Sequence, residues 1–184
     1  MKKRSFMTQT EVDALLAATK SGRYPERDYC LFLMGFLHGF RVSELRQLSL
    51  DDIDMKQKVI YVKRLKSGLS TVQPLIPEEY DALVMWLSKR KKIASDDNKW
   101  VFLSQKNQPL SRSQIFRLIE KYGQDAKLSI KVHPHMLRHA CGYALADLGR
   151  DTRLIQDYLG HRNIAHTVIY TASNEKRFNG IWDY

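Results

Sequence analysis

The sequence predicts an α+β fold that is mainly α-helical, built as one domain over residues 1–184. Three observations carry this reading. A chain of 184 residues is long enough to bury one proper core. Most of its apolar segments are bounded by helix caps and helix breakers. One pair of alternating segments flanks a short polar turn, which marks a β-hairpin.

The elements follow in order. Thr8-Gln9-Thr10-Glu11 has the spacing of a capping box and opens a helix running to about Thr19. A Ser-Gly-Arg-Tyr-Pro turn at 21–25 breaks it. Glu26 to His38 forms a second helix, and Leu31, Phe32, Leu33, Met34, Phe36 and Leu37 make it central to the core. Gly39 ends that helix, and Val42 to Leu48 forms a short third one. Asp51 to Asp54 reads as a turn, and Val59 to Arg64 and Thr71 to Ile76 alternate as strands around Lys66-Ser67-Gly68. Pro77 opens a helix to about Lys91, Trp100 to Leu103 is a short buried segment, and Ser111 to Gln124 is helical. Helices at about 135–148, 151–158 and 164–171 follow, broken by Gly149 and Gly160. The chain contains no internal repeat, low-complexity tract or linker.

Composition narrows the partners. Thirty basic against twenty acidic side chains give a formal charge of +10, which favours polyanions through counterion release. An RNA-binding or ribosomal protein would share that charge. The longest apolar run, Leu31 to Leu37, falls far short of the roughly 20 residues needed to span a bilayer. Met1-Lys2-Lys3-Arg4 is followed by no apolar h-region. Cys30 and Cys141 each lie among apolar neighbours, so they read as two buried thiols in a reducing compartment.

The last third holds the chemistry. His135-Met136-Leu137-Arg138, Leu159-Gly160-His161 and Ile169-Tyr170-Thr171 follow one another closely. Together they supply what is needed to cut a phosphodiester with a tyrosine. The reacting phosphate gains negative charge as a nucleophile adds, so fixed cations must meet it. A tyrosine hydroxyl, with a pKa of about 10, needs a proton acceptor and a positive setting before it attacks at neutral pH. On a helix, His135 and Arg138 share a face, and an arginine fork grips two phosphate oxygens at once. Arg41 is the candidate for a second clamp, placed in a helix-to-helix turn near helix N-terminal amides. Lys66 at the hairpin tip is the candidate general acid for the leaving 5′ oxygen. Taken singly, each has a plainer role. Arg41 and Arg138 could pair with Glu44 or Asp157, Lys63 and Arg64 are rival cations, His139 is a rival histidine, and eight other tyrosines compete with Tyr170.

Their joint order resembles the tyrosine site-specific recombinases of the phage integrase family, from about Thr8 to Tyr170. Gly39 to Leu45 matches that family's G-x-R-x-S-E-L motif; Lys66 matches its hairpin lysine. His135 and Arg138 match its H-x-x-R pair, His161 its L-G-H histidine, and Tyr170 its nucleophile. The wording of the C-terminal half is similar to the fimbrial phase-switch recombinases of the FimB/FimE type. The resemblance implies that Arg41 and Arg138 clamp the scissile phosphate, while His135 and His161 hydrogen-bond it and manage protons. Tyr170 would attack phosphorus, Lys66 would protonate the 5′ hydroxyl, and Glu44 would support the site. Neither a metal nor any other cofactor is implied. The implied partners are double-stranded DNA with short inverted repeats, three further copies in a tetramer on that DNA, and DNA-bending accessory proteins. No membrane is implied, and the expected setting is the bacterial cytoplasm at the nucleoid. Asn174 to Tyr184, with Phe178, Ile181 and Trp182, is expected to serve protomer contacts. Only one or two helices precede Arg41, so no separate N-terminal core-binding domain is expected. A type IB topoisomerase and a non-catalytic DNA-binding regulator are the rival readings.

Overall fold

The computed structural model describes residues 4–65 and 68–181. Among them are eight α-helices and one three-stranded antiparallel sheet. α1 (Gln9–Ala18) starts at the expected box: the Thr8 hydroxyl accepts the Glu11 amide at 3.3 Å, and Glu11 accepts the Thr8 amide at 2.8 Å. α2 (Pro25–Leu37) opens on a proline, which suits the first helical turn because its missing N–H would have no partner there. Cys30, Leu31, Phe32 and Met34 on α2 are completely buried, and the helix packs against α1, α4 and α6. Both cysteines are free and buried.

α3 (Val42–Arg46) is followed by a 3-10 turn at Leu50–Asp52. Asp51 to Asp54 is not simply a turn. Asp52 accepts the Ser49 amide and hydroxyl at 3.0 and 2.9 Å, which closes the 3-10 turn early. Ile53 and Asp54 are then free to pair as β1 (Ile53–Asp54), opposite Ile60 and Val59 of β2 (Val59–Val62). β2 pairs in turn with β3 (Thr71–Pro74), Ile60 opposite Gln73. The expected hairpin forms, two residues shorter in each strand.

α4 (Pro77–Arg90) is joined to α5 (Arg112–Asp125) by a segment without helix, where Val101, Phe102 and Leu103 are buried as expected and Trp100 is only half-buried. α6 (Pro134–Asp147), α7 (Thr152–Leu159) and α8 (Ala165–Ala172) complete the fold, with a final 3-10 turn at Glu175–Phe178. Gly149 and Gly160 sit at φ of +74° and +68°, the left-handed conformation that ends α6 and α7.

A buried polar knot fixes the end of α2. His38 is 1% exposed and places Nδ1 2.6 Å from Gln73 Oε1 and Nε2 2.6 Å from Glu79 Oε1. Gln73 spends its amide hydrogens on the Tyr158 carbonyl and the Thr71 hydroxyl, so its oxygen must accept from His38. The other ring nitrogen of His38 is thereby left to face Glu79. α2, β3, α4 and the end of α7 are held in register through these side chains. That register sets the position of Gly39 to Arg41.

Candidate active site

The site is built where α2 and α7 end. Gly39 turns the chain at φ +57°, and a Cβ there would lie 2.4 Å from Leu159. Only glycine lets α2 stop so close to α7. Arg41 then caps α3: Glu44 accepts its amide at 2.9 Å and its Nη1–H at 2.8 Å. Burial alone would raise the Glu44 pKa, but the Arg41 amide and the Arg64 and Arg41 charges overcome it and hold the carboxyl below its usual range. The pairing of Arg41 with Glu44 is therefore present, whereas Arg138 makes no bond to Asp157 among the described residues.

Arg138, on α6, is 1% exposed. Its Nη1 donates to the Gly39 carbonyl at 2.5 Å and its Nη2 to the Leu159 carbonyl at 2.7 Å. Both acceptors lie at helix ends, where backbone oxygens lack intrahelical partners and the helix dipole is negative. Burial lowers the Arg138 pKa to about 10, so it stays charged at neutral pH. Two of its five N–H groups are spent on carbonyls, and Arg41 spends one on Glu44. The remainder can meet an anion.

Arg64 is a structural neighbour that the sequence reading treated only as a rival cation. It is fully buried and donates to the carbonyls of His38, Tyr158 and Gly39 and to Glu44. Strand alternation was the available signal, because Val62 and Arg64 point inward around an exposed Lys63. Lys63 instead turns outward to pair with Asp52. Lys66 lies outside the described residues.

His161 follows Gly160, whose absent side chain lets the end of α7 meet the hairpin connection; a Cβ there would be 2.5 Å from the Leu69 carbonyl oxygen. His161 Nδ1 is 2.9 Å from the hydroxyl of Thr167, itself fully buried. Burial, then the charges of Arg138 and Arg41, lower its pKa to about 3. His135 lies at an exposed position on α6, yet the surrounding protein mass and nearby His139 and Arg138 lower its pKa to about 4. Both rings are neutral at pH 7 and can donate or accept without adding charge.

Tyr170, on α8, is 1% exposed. Its ring lies against Gly142 of α6, where a Cβ would fall 2.6 Å from Cζ, and meets Tyr143 edge-on at 5.0 Å. Its hydroxyl is 2.9 Å from His139 Nδ1. Burial pushes the Tyr170 pKa up to about 12, against the opposing pull of Arg138. Arg138 bonds the carbonyls two residues before Arg41 and two residues before His161, and His139 contacts both the His135 ring and the Tyr170 hydroxyl, which brings these residues together. His139, like Arg64, entered the sequence reading only as a rival. Its position one turn after His135 was legible, but its contact depends on how α8 packs on α6.

The site thus joins a cationic cluster, neutral histidines and a buried tyrosine. The model of the phage integrase family matches residues 5–177. The chain belongs to that family. This integrase-family chain is 56% identical over 182 residues to the type 1 fimbriae regulatory protein FimB of Escherichia coli K12, covering 99% of this chain and 91% of that one. It is 48% identical over 184 residues to the type 1 fimbriae regulatory protein FimE of the same strain, covering 100% and 93%. Among solved structures, XerA recombinase superposes with a TM-score of 0.84 at 28% identity. That match covers 99% of this chain and 65% of the XerA chain, so the integrase-family chain spans just under two thirds of it. Among the described residues, no helix is long and apolar enough to cross a membrane.

Proposed function

We propose that this integrase-family chain is a site-specific DNA recombinase that inverts a promoter segment between short inverted repeats to control fimbrial phase variation. What supports it is the contact pattern of the candidate residues: Arg138 bonds the carbonyls just before Arg41 and His161, and His139 meets both His135 and the Tyr170 hydroxyl. Arg41 and Arg138 hold the non-bridging oxygens of the scissile phosphate with their uncommitted N–H groups, and His135 and His161 hydrogen-bond it. The Tyr170 oxygen bonds to phosphorus and the P–O5′ bond breaks, leaving a 3′-phosphotyrosyl link. Lys66, by its family match, supplies the proton for the departing 5′ oxygen. Glu44 keeps Arg41 and Arg64 in place from behind. A 5′ hydroxyl of a partner strand then displaces the tyrosine, so the energy of the broken bond is kept and neither ATP nor metal is needed.

The likeness to FimB and FimE supports the fimbrial switch, and the net charge of +10 supports a DNA partner. Exchange between two duplexes calls for four copies on DNA, assisted by DNA-bending proteins, in the bacterial cytoplasm at the nucleoid. In this reading residues 1–184 act as one catalytic domain. Residues 174–184 serve contacts between copies; Phe178 and Ile181 are exposed there, while Trp182 lies outside the described residues.

The test is a nicked suicide substrate carrying the inverted repeat, incubated in EDTA with wild type and Tyr170→Phe. A denaturation-resistant adduct with wild type alone supports the reading. Transfer to a partner strand separates it from a type IB topoisomerase. Specific binding with no adduct would point to a regulator instead.

A further inference from the structure

The mechanism above leaves the closest polar neighbour of the attacking oxygen unused. His161 commits Nδ1 to Thr167, and His135 packs edge-on against His139 with ring centres 4.6 Å apart. His139 alone among the described histidines places a ring nitrogen against the Tyr170 hydroxyl, at 2.9 Å. That distance is within reach for proton transfer.

Resting on the recombinase reading, we propose that His139 is the general base for cleavage, with Nδ1 accepting the Tyr170 proton as the phenolic oxygen bonds to phosphorus. The electron pair of the broken P–O5′ bond leaves with the 5′ oxygen, which is protonated from elsewhere in the site. The imidazolium formed at His139 holds the proton until a 5′ hydroxyl expels the tyrosine, and then returns it to the phenolic oxygen.

Three features of the site suit this role. Burial, Arg138 and His133 lower the His139 pKa below the usual histidine range, so the ring enters the reaction neutral, and its Nε2–H tautomer presents a lone pair on Nδ1 to the phenol. Tyr170 does not ionise unaided near neutral pH, since burial holds its pKa at about 12. Gly142 lets the phenol lie flat on α6, so its hydroxyl reaches back toward His139. The groups facing His139 are His135, His133 and Arg138 from α6 and its N-cap, with Tyr170 from α8. None is anionic in the resting protein. An incoming phosphodiester supplies the missing negative charge, which raises the basicity of His139 only once DNA is bound. The nucleophile is thereby kept protonated until its substrate arrives.

The experiment measures single-turnover adduct formation by the full chain on the suicide substrate, against pH, for wild type, His139→Gln and His139→Ala. General-base loss should slow both variants by about 100-fold or more. Wild type should lose rate on the acid side, along a limb that His139→Gln lacks. Added imidazole should restore His139→Ala by about tenfold or more, an effect that a purely structural side chain would not produce. His139→Gln carries the test if the alanine variant unfolds, because an amide can bond the phenol but cannot take its proton. Near-wild-type cleavage by His139→Gln would overturn the proposal, and faster cleavage would too, since it would make His139 a restraint on the tyrosine. A wild type that forms no adduct would remove the recombinase reading, and this proposal with it.

Discussion

Replacing Arg64 by methionine isolates the cost of losing one buried cation from a site in which several are present. The side chain has no exposed surface, and its four acceptors are His38 O at 2.7 Å, Tyr158 O at 2.9 Å, Glu44 at 3.0 Å and Gly39 O at 3.2 Å. Not all four are orphaned by its removal. Gly39 O keeps Arg138, Tyr158 O keeps the Gln73 amide, and Glu44 keeps Arg41 and the Leu65 amide. His38 O loses its side-chain donor, at about 1–3 kcal/mol for an unsatisfied buried carbonyl. Glu44 loses one of two cationic partners, which places its cost at or below the low end of the roughly 3–5 kcal/mol seen when a buried pair is broken. Methionine recovers part of this by filling the space. A net loss of about 4 kcal/mol follows, or a Tm drop of about 8–16 °C at roughly 2–4 °C per kcal/mol for a chain of this size. Urea unfolding followed by far-UV circular dichroism measures it, with Lys63→Met as the exposed control. Lys63, 71% exposed in its ion pair with Asp52, should change stability by less than about 1 kcal/mol. A loss below about 1 kcal/mol for Arg64→Met would refute the assignment of Arg64 as the tie between hairpin and helix ends.

Three further outcomes are expected. Arg41→Lys should slow adduct formation by about 100-fold or more, because a lone ammonium cannot reproduce a forked grip on phosphate, while unfolding free energy moves by less than about 1 kcal/mol; a rate within threefold of wild type would make Arg41 structural. Gly160→Ala should cost about 2–4 kcal/mol in urea unfolding, from a left-handed φ and a Cβ set against the Leu69 carbonyl; a change under about 1 kcal/mol would show that the hairpin connection moves aside freely. For His161, the folded pKa of about 3 lies below the unfolded value of about 6.5, so the unfolded chain binds more protons between them and stability falls as pH drops through that window. His161→Asn should reduce that acid slope by up to about 1.4 kcal/mol per pH unit, and an unchanged slope would place the acid sensitivity elsewhere.

The helices were legible because their ends are written locally. Thr8 with Glu11, Pro25, Pro77, Ser111 with Gln114, and the left-handed Gly149 and Gly160 all lie within a few residues of the boundaries they set. β1 was not, since two residues cannot show alternation and Asp51 and Asp52 signal a turn. The family positions stood out as motifs, but their partners did not. Arg64 finds acceptors 20 to 94 residues away, and His139 finds Tyr170 31 residues on. Such contacts come from how the hairpin meets α3 and the ends of α2 and α7, and how α8 meets α6, which no local pattern encodes. Lys66, the expected general acid, lies outside the described residues.

The carbonyl of Gly39 accepts from Arg64 at 3.2 Å and from Arg138 at 2.5 Å. One oxygen is therefore a shared ledge for a hairpin residue and for the proposed phosphate clamp. A hairpin displaced far enough to withdraw Arg64 would leave the ledge to Arg138 alone, and a displaced Arg138 would leave it to Arg64. The two arginines cannot be tuned separately. A substitution in the hairpin that moves Arg64 also changes the company Arg138 keeps.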